Sequence, residues 1–205
     1  MEQIVDSYLT IAEPAEAYNR ERSSKFLSYA YPVENEAQIR EALDELRKRY
    51  FDATHHCYAW RLGPTGEQFR ANDDGEPSGT AGKPILGQML SAKVTNCLIV
   101  VVRYFGGTKL GVPGLIAAYK EAAEEVLQAS QIIERTVDDI IRIEFPYIAM
   151  NDVMRVVKDM QPKIEEQLFD NLCTMRLRIR RSESGMLQGK LDKIEGCYSE
   201  LEELS

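Results

Sequence analysis

Cys97-Leu98-Ile99-Val100-Val101-Val102-Arg103-Tyr104 runs into Phe105-Gly106-Gly107-Thr108-Lys109-Leu110-Gly111-Val112-Pro113-Gly114, and from there into Leu115 to Ala129. The first eight residues are rich in β-branched side chains without polar alternation, which predicts a strand covered on both faces. Leu115, Ala118, Tyr119, Ala122, Val126 and Ala129 then recur at helical steps, so a helix is expected over 115–129. A glycine-rich loop between a strand and a helix presents free backbone N–H groups at the positive end of the helix dipole, a place that attracts anions.

Upstream lies a second loop of the same kind, Asn72-Asp73-Asp74-Gly75-Glu76-Pro77-Ser78-Gly79-Thr80-Ala81-Gly82-Lys83-Pro84. Pro84 suits the first turn of a helix, where its missing N–H costs nothing, and Ile85, Leu86, Met89 and Leu90 give that helix an apolar face ending near Lys93. Before it, His55 to Leu62 and Glu67 to Arg70 flank the turn Gly63-Pro64-Thr65-Gly66 and predict a hairpin. Further upstream, Ile39, Ala42, Leu43, Leu46 and Tyr50 mark an amphipathic helix over 36–51, preceded by two strands within 16–33.

Downstream of a short strand at 132–134 the pattern changes. Strand 139–145, helix 149–160, strands 164–169 and 173–180, helix 183–195 and strand 198–204 give the order βαββαβ, the pattern of a ferredoxin-like unit. The expected class is therefore α+β. A length of 205 residues suits two modest cores, and the boundary is expected between a domain at 1–136 and one at 137–205.

The net charge is −8, with 15 basic against 19 acidic residues up to Thr136 and 10 against 14 after it. That balance disfavours an avid, sequence-indifferent DNA binder. Cys57, Cys97, Cys173 and Cys197 are widely spaced without a CxxC pair, and the acidic start and six-residue longest apolar run give no export or membrane signal. Reduced thiols and a cytoplasmic location are expected.

Candidate chemistry centres on the two loops. Useful phosphate affinity needs cations beside the amides, so Lys83, Arg103 and Lys109 are expected to converge with Gly106, Gly107 and Gly111 on one anion or nucleic-acid site. His56, Arg61, Asp73, Asp74, Glu76, Ser78 and Thr80 are the further candidates for lining a cleft. Gly82-Lys83-Pro84 is not a Walker A motif, and Gly106-Gly107-Thr108 breaks the dinucleotide fingerprint. Asp73, Asp74 and Glu76 can be read as a carboxylate set for a divalent cation, or as turn and cap residues. His55 and His56 point to opposite faces of a strand and so do not share a metal. Ser78 lies in no GxSxG elbow. Arg176, Arg178 and Arg180 alternate along one strand face, either as an RNA-facing stripe or as a face paired with Glu165, Glu166 or Glu195. No metal site and no cofactor are expected.

Arg22-Ser-Ser-Lys25-Phe26, His56-Cys57-Tyr58-Ala59-Trp60-Arg61, the string from Asp73 to Pro84, and Arg103-Tyr-Phe-Gly-Gly-Thr-Lys-Leu-Gly111 together resemble the YigZ/IMPACT family over residues 17 to 130. The resemblance implies an N-terminal domain with the fold of domain two of the fifth small-subunit ribosomal protein. It also implies a C-terminal domain similar to a ferredoxin-like domain of elongation factor G, and a link to translation. Eukaryotic relatives restrain the general-control translation kinase and also carry an additional N-terminal module for protein partners; nothing of that length precedes Lys25 here, so kinase regulation is not carried over. One departure is Val112-Pro113-Gly114-Leu115, where the family continues with a further Gly-rich stretch; Pro113 removes one amide donor. The reading is an RNA- or ribosome-associated regulatory protein of translation. Its alternatives are a small metal-assisted hydrolase or transferase acting on a phosphorylated or peptide substrate, and a protein-binding adaptor.

Overall fold

The structure, a computed structural model, describes residues 5–202. The chain divides into two compact units: Tyr8–Arg135, and a second made of the residues from Thr136 onward with the short segment before Tyr8. In the first unit β1 (Ser7–Ile11), β2 (Ala15–Glu21) and β3 (Ser24–Pro32) precede α1 (Glu36–Arg49), and β4 (His55–Leu62) and β5 (Gln68–Asn72) precede α2 (Gly82–Ser91). Next come β6 (Cys97–Tyr104), α3 (Gly111–Ala129) and β7 (Ile132–Thr136).

Five strands form one sheet in the order β2-β3-β6-β4-β5, with β6 at its centre, pairing antiparallel to β3 and β4. Alternation along these strands separates two cores. Ile99 and Val101 of β6, Cys57 and Ala59 of β4, and Phe26 and Ala30 of β3 pack under α2 and α3. Leu98, Val100 and Val102, Tyr58, Trp60 and Leu62, and Tyr29 pack under Ile39, Leu43 and Leu46 of α1. The continuous apolar run of β6 thus follows from helices covering both faces. Asn35 starts α1 by accepting the Gln38 N–H at 3.0 Å, while Gln38 Oε1 accepts the Glu34 N–H at 2.7 Å.

The second unit contains β8 (Asp138–Pro146), a 3₁₀ turn at Tyr147–Ala149, α4 (Met150–Met160), β9 (Lys163–Leu168), β10 (Leu172–Arg180), α5 (Arg181–Leu191) and β11 (Tyr198–Glu202). Its antiparallel sheet has the order β11-β8-β10-β9. Ile141, Ile143 and Phe145 of β8 and Met175 and Leu177 of β10 face Val153, Val157, Leu187 and Leu191 of the two helices. The Asp6 carbonyl accepts the Val137 N–H at 2.8 Å, and Arg180 pairs with Asp6 at 2.8 Å, which ties Asp6 to this unit.

The elements expected from the sequence are present, with three differences. Strand β1, which pairs with β7 in a separate two-stranded sheet, has no counterpart in the expectation. Helix α3 begins at Gly111 instead of Leu115, so Pro113 lies in its first turn, where a missing N–H breaks no helical bond. Helix α5 ends at Leu191, short of Glu195.

Gly82 shows how tightly α2 meets the sheet: a Cβ there would lie 2.5 Å from the Asn72 backbone nitrogen. Gly82→Ala is therefore expected to destabilise the first unit by about 1–3 kcal/mol, read as a lower urea midpoint with unchanged slope.

Candidate functional site

The loop between β5 and α2 folds around its own acidic residues. Asp73 accepts the amides of Gly79 at 2.8 Å, Ala81 at 3.0 Å and Gly82 at 2.8 Å, so its carboxylate occupies the anion position at the start of α2. Burial opposes ionisation of Asp73, but these three amides and the nearby Lys83 outweigh it and hold the carboxyl below the ordinary value of 3.8. Asp74, at φ 41°, turns its carboxylate to the His56 N–H at 2.6 Å. Glu76 is buried and accepts from Arg103 Nη1 at 2.5 Å and from the Tyr119 hydroxyl at 2.7 Å. The three carboxylates that a metal-assisted reaction needs together thus serve three different partners. Among the described residues no group of three or more His, Cys, Asp or Glu is arranged to hold a metal ion.

Arg103, next to last in β6, lies on the face covered by α2 and α3 and is only 4% exposed. Besides Glu76 it donates through Nη2 to Ser24 Oγ at 3.3 Å, and its guanidinium lies 5.6 Å from the ring centres of both Phe26 and Phe105. Its Nε–H has no acceptor among the described residues. Burial pushes the Tyr119 phenol and the Cys57 thiol well above their ordinary ranges, so both keep their protons. Cys57 Sγ lies 3.0 Å from the Asp73 carbonyl oxygen and 3.3 Å from the Tyr119 hydroxyl, as a buried thiol and not a nucleophile.

Glu76, Arg103, Phe105, Lys109, Gly111 and Leu115 line a cleft of about 340 Å³, completed by Pro77, Leu110 and Val112. Its walls are mostly apolar, and Phe105 is 47% exposed. The Phe105 amide donates to Thr54 Oγ1 at 3.1 Å and the Gly106 amide to Ser24 Oγ at 3.2 Å. From Gly107 to Gly111 the amides find no acceptor among the described residues, and no side chain caps α3.

Several expectations need correction. Lys83, Arg103 and Lys109 do not converge: Lys83 is an exposed residue of the first turn of α2 and is not among the residues lining the cleft, and Arg103 is held by Glu76. The first loop receives no outside anion at Gly79 to Gly82, because Asp73 fills that place. Gly106 serves packing, since a Cβ there would meet the Ser23 backbone carbonyl carbon at 2.1 Å. His56 faces α1, where burial holds its imidazole below 6.5 against the pull of Asp74. Arg61 lies at the far end of β4, donating to the carbonyls of Val94 at 2.7 Å and Thr65 at 3.2 Å. Ser78 is exposed, and the Thr80 hydroxyl closes the loop on the Pro77 carbonyl at 2.6 Å. Gly107, Lys109 and Gly111 remain together at the cleft loop.

The sequence reading left His55 or His56 open as a proton carrier and placed His56 at the cleft, and it gave no site role to Tyr119, Ser24 or Phe105. His55 Nδ1 lies 2.8 Å from the Asp74 carbonyl, so Nδ1 carries the proton, and Nε2 lies 3.7 Å from Glu76 Oε1. Parity was the available signal: His55 shares its face with Cys57 and Ala59, the small residues under α2 and α3, whereas His56 shares its face with Tyr58 and Trp60. On the second unit the arginine face is paired: Arg176 with Glu166 and Glu202, Arg178 with Glu165, and Arg180 with Asp6.

Fold and site together define a two-unit α+β protein whose first unit carries a buried Glu–Arg pair beneath a glycine-rich cleft. The Impact N-terminal domain family matches residues 22–127, which contain every residue of that cleft. The chain belongs to the YigZ/IMPACT family. It is 28% identical to the IMPACT family member YvyE of Bacillus subtilis over 200 residues, covering 98% of this chain and 92% of that one. With an IMPACT family member of Haemophilus influenzae it shares 33% identity over 153 residues, 72% of this chain and 73% of the relative. The crystal structure of a protein described as hypothetical superimposes with a TM-score of 0.71 at 27% identity, covering 98% of each chain.

Two stability tests follow from the site. Asp73→Ala, which strands three amides, is expected to cost about 3 kcal/mol at neutral pH. Because the folded-state pKa is depressed, this contribution is complete above 3.8 and is lost as pH falls through the lower folded value, so urea midpoints of wild type and Asp73→Asn should approach one another in acid. Glu76→Gln leaves Arg103 buried without its counter-charge and is expected to cost about 3–5 kcal/mol, whereas the double variant Glu76→Gln with Arg103→Met should recover most of it in the same titration.

Proposed function

We propose that this protein is a translation-linked regulatory protein that binds single-stranded RNA, free or on the ribosome, through the cleft between the β6–α3 loop and Glu76. The observation that carries the reading is the juxtaposition, in one cleft, of the exposed Phe105 ring with Lys109, Leu110 and Gly111, the end of the loop whose amides from Gly107 onward are open. Single strands are held by stacking bases on aromatic faces while cations and amides take the backbone phosphate. The Arg103 guanidinium lies 5.6 Å from the centre of the Phe105 ring. The link to translation rests on the family resemblance.

The same proposal takes the first unit to have the fold of domain two of the fifth small-subunit ribosomal protein and the second to be ferredoxin-like. The order β11-β8-β10-β9 with antiparallel pairing supports the latter, being the arrangement that βαββαβ connectivity gives when two split βαβ units interleave. Similarity to an elongation factor G domain rests on the resemblance alone. The protein-adaptor reading gains no specific observation.

Short single-stranded RNA titrated into the protein across a salt series tests the function. Phe105→Ala should weaken binding by about 1–3 kcal/mol, and Lys109→Ala should reduce the salt slope by about 1. Absence of binding at low salt, or binding indifferent to both changes, rejects the reading.

A further inference from the structure

The cleft is built for a smaller and more particular ligand than a length of backbone. We propose that it receives a single nucleotide bearing a phosphomonoester, with the phosphate on the amides of Gly107 to Gly111 and the base on Phe105. This inference rests on the RNA-binding reading and narrows it to a terminal nucleotide or a free mononucleotide, whose chemistry is shared.

Donor supply is the first argument. Five consecutive amides from Gly107 to Gly111 find no acceptor among the described residues, and Lys109 lies in the same stretch. An internal phosphodiester offers two non-bridging oxygens and one negative charge, whereas a monoester offers three oxygens and about −1.5 to −2 charges at neutral pH. The monoester matches this surplus of donors better. Arg103 forms part of the cleft wall but is already held by Glu76 and Ser24, so the open donors are those of the loop.

The remaining wall argues for more than bare phosphate. Pro77, Phe105, Leu110, Val112 and Leu115 are apolar, and Glu76 adds a carboxylate to the lining, an acceptor that inorganic phosphate does not satisfy but a ribose hydroxyl or base amino group does. Arg103 neutralises Glu76 at 2.5 Å, so the carboxylate does not repel the ligand as a free charge would. The Arg103 guanidinium lies 5.6 Å from the centres of the Phe26 and Phe105 rings, and the half-exposed Phe105 ring is the aromatic surface in the cleft on which a base can stack. At about 340 Å³ the cleft is at the small end of ligand sites.

Charge outside the cleft gives no support to a long track. Proteins that follow a single strand use a continuous basic groove. Here the net charge is −8, and Arg176, Arg178 and Arg180, the arginines that alternate along β10, are each paired with a carboxylate.

The test uses the full chain and one RNA hexamer carrying a 5′-phosphate, a 3′-phosphate or neither, together with AMP and inorganic phosphate, at about 50 mM salt, where non-specific attraction is strongest. At least tenfold tighter binding of a phosphorylated end than of the unphosphorylated hexamer, with displacement by AMP but not by equal inorganic phosphate, is the expected result. Phe105→Ala, an exposed change whose folding is checked by circular dichroism, should weaken AMP about fivefold or more. Equal binding of all three hexamers without AMP displacement overturns the inference and leaves RNA binding standing. AMP binding without any hexamer binding sustains the nucleotide site and removes RNA as its source. Displacement by inorganic phosphate as effective as by AMP, or failure of every probe, overturns the inference outright.

Discussion

A buried carboxylate organises the first unit. Glu76 is taken out of water at the foot of a loop, and a charge so placed is stable only when countered and hydrogen-bonded; Arg103 and Tyr119 do both. Because Arg103 closes the central strand and Tyr119 lies on α3, this single side chain fastens the β5–α2 loop to the sheet and to a helix at once. The fastening leaves little freedom to the rest of the loop. With Glu76 pinned, Asp73 is held over the amides that begin α2, and Asp74 is turned toward β4 in a left-handed conformation that aspartate tolerates better than most residues. The string from Asp73 to Lys83 is therefore one structural device, in which each acidic residue neutralises a different nearby donor.

That division explains why two glycine-rich loops of similar appearance have different chemistry. In the first, an internal carboxylate satisfies the amides, and the glycines serve close approach and turning. In the second, Ser24 and Thr54 satisfy only Gly106 and Phe105, and the amides beyond them stay open above an apolar wall. Open amides thus belong to one loop, which carries Lys109 and leads into the start of α3, while the nearby Arg103 is neutralised by Glu76.

The architecture was legible because periodicity reports burial directly. β6 reads as doubly covered since α1 lies on one face and α2 and α3 on the other, and the βαββαβ order after Thr136 needs only alternating helical and strand patterns. β1 escaped because its partner β7 lies more than a hundred residues away, and nothing local in Ser7-Tyr-Leu-Thr-Ile11 announces that pairing. The site was half legible. Glycine and lysine positions mark a loop, but the destination of a charged side chain depends on what meets it in space. Arg103 looked free because Glu76 is distant in sequence, and Tyr119 looked like core because its ring is core while its hydroxyl is not. His55 against His56 was decidable from strand parity once the small residues Cys57 and Ala59 are taken to mark the face beneath α2 and α3.

The charged face of the second unit completes the electrostatic account. Arg176, Arg178 and Arg180 alternate on one sheet face as expected, yet β9 and β11 flank β8 and β10 with glutamates at matching heights, and Asp6 reaches Arg180. Cross-strand pairs of this kind cost little desolvation and let an antiparallel sheet show one face to water without exposing apolar edges to its neighbours. They also consume the basic charge that a polyanion would need. With Arg176, Arg178 and Arg180 countered in this way, their strand face offers little net positive charge.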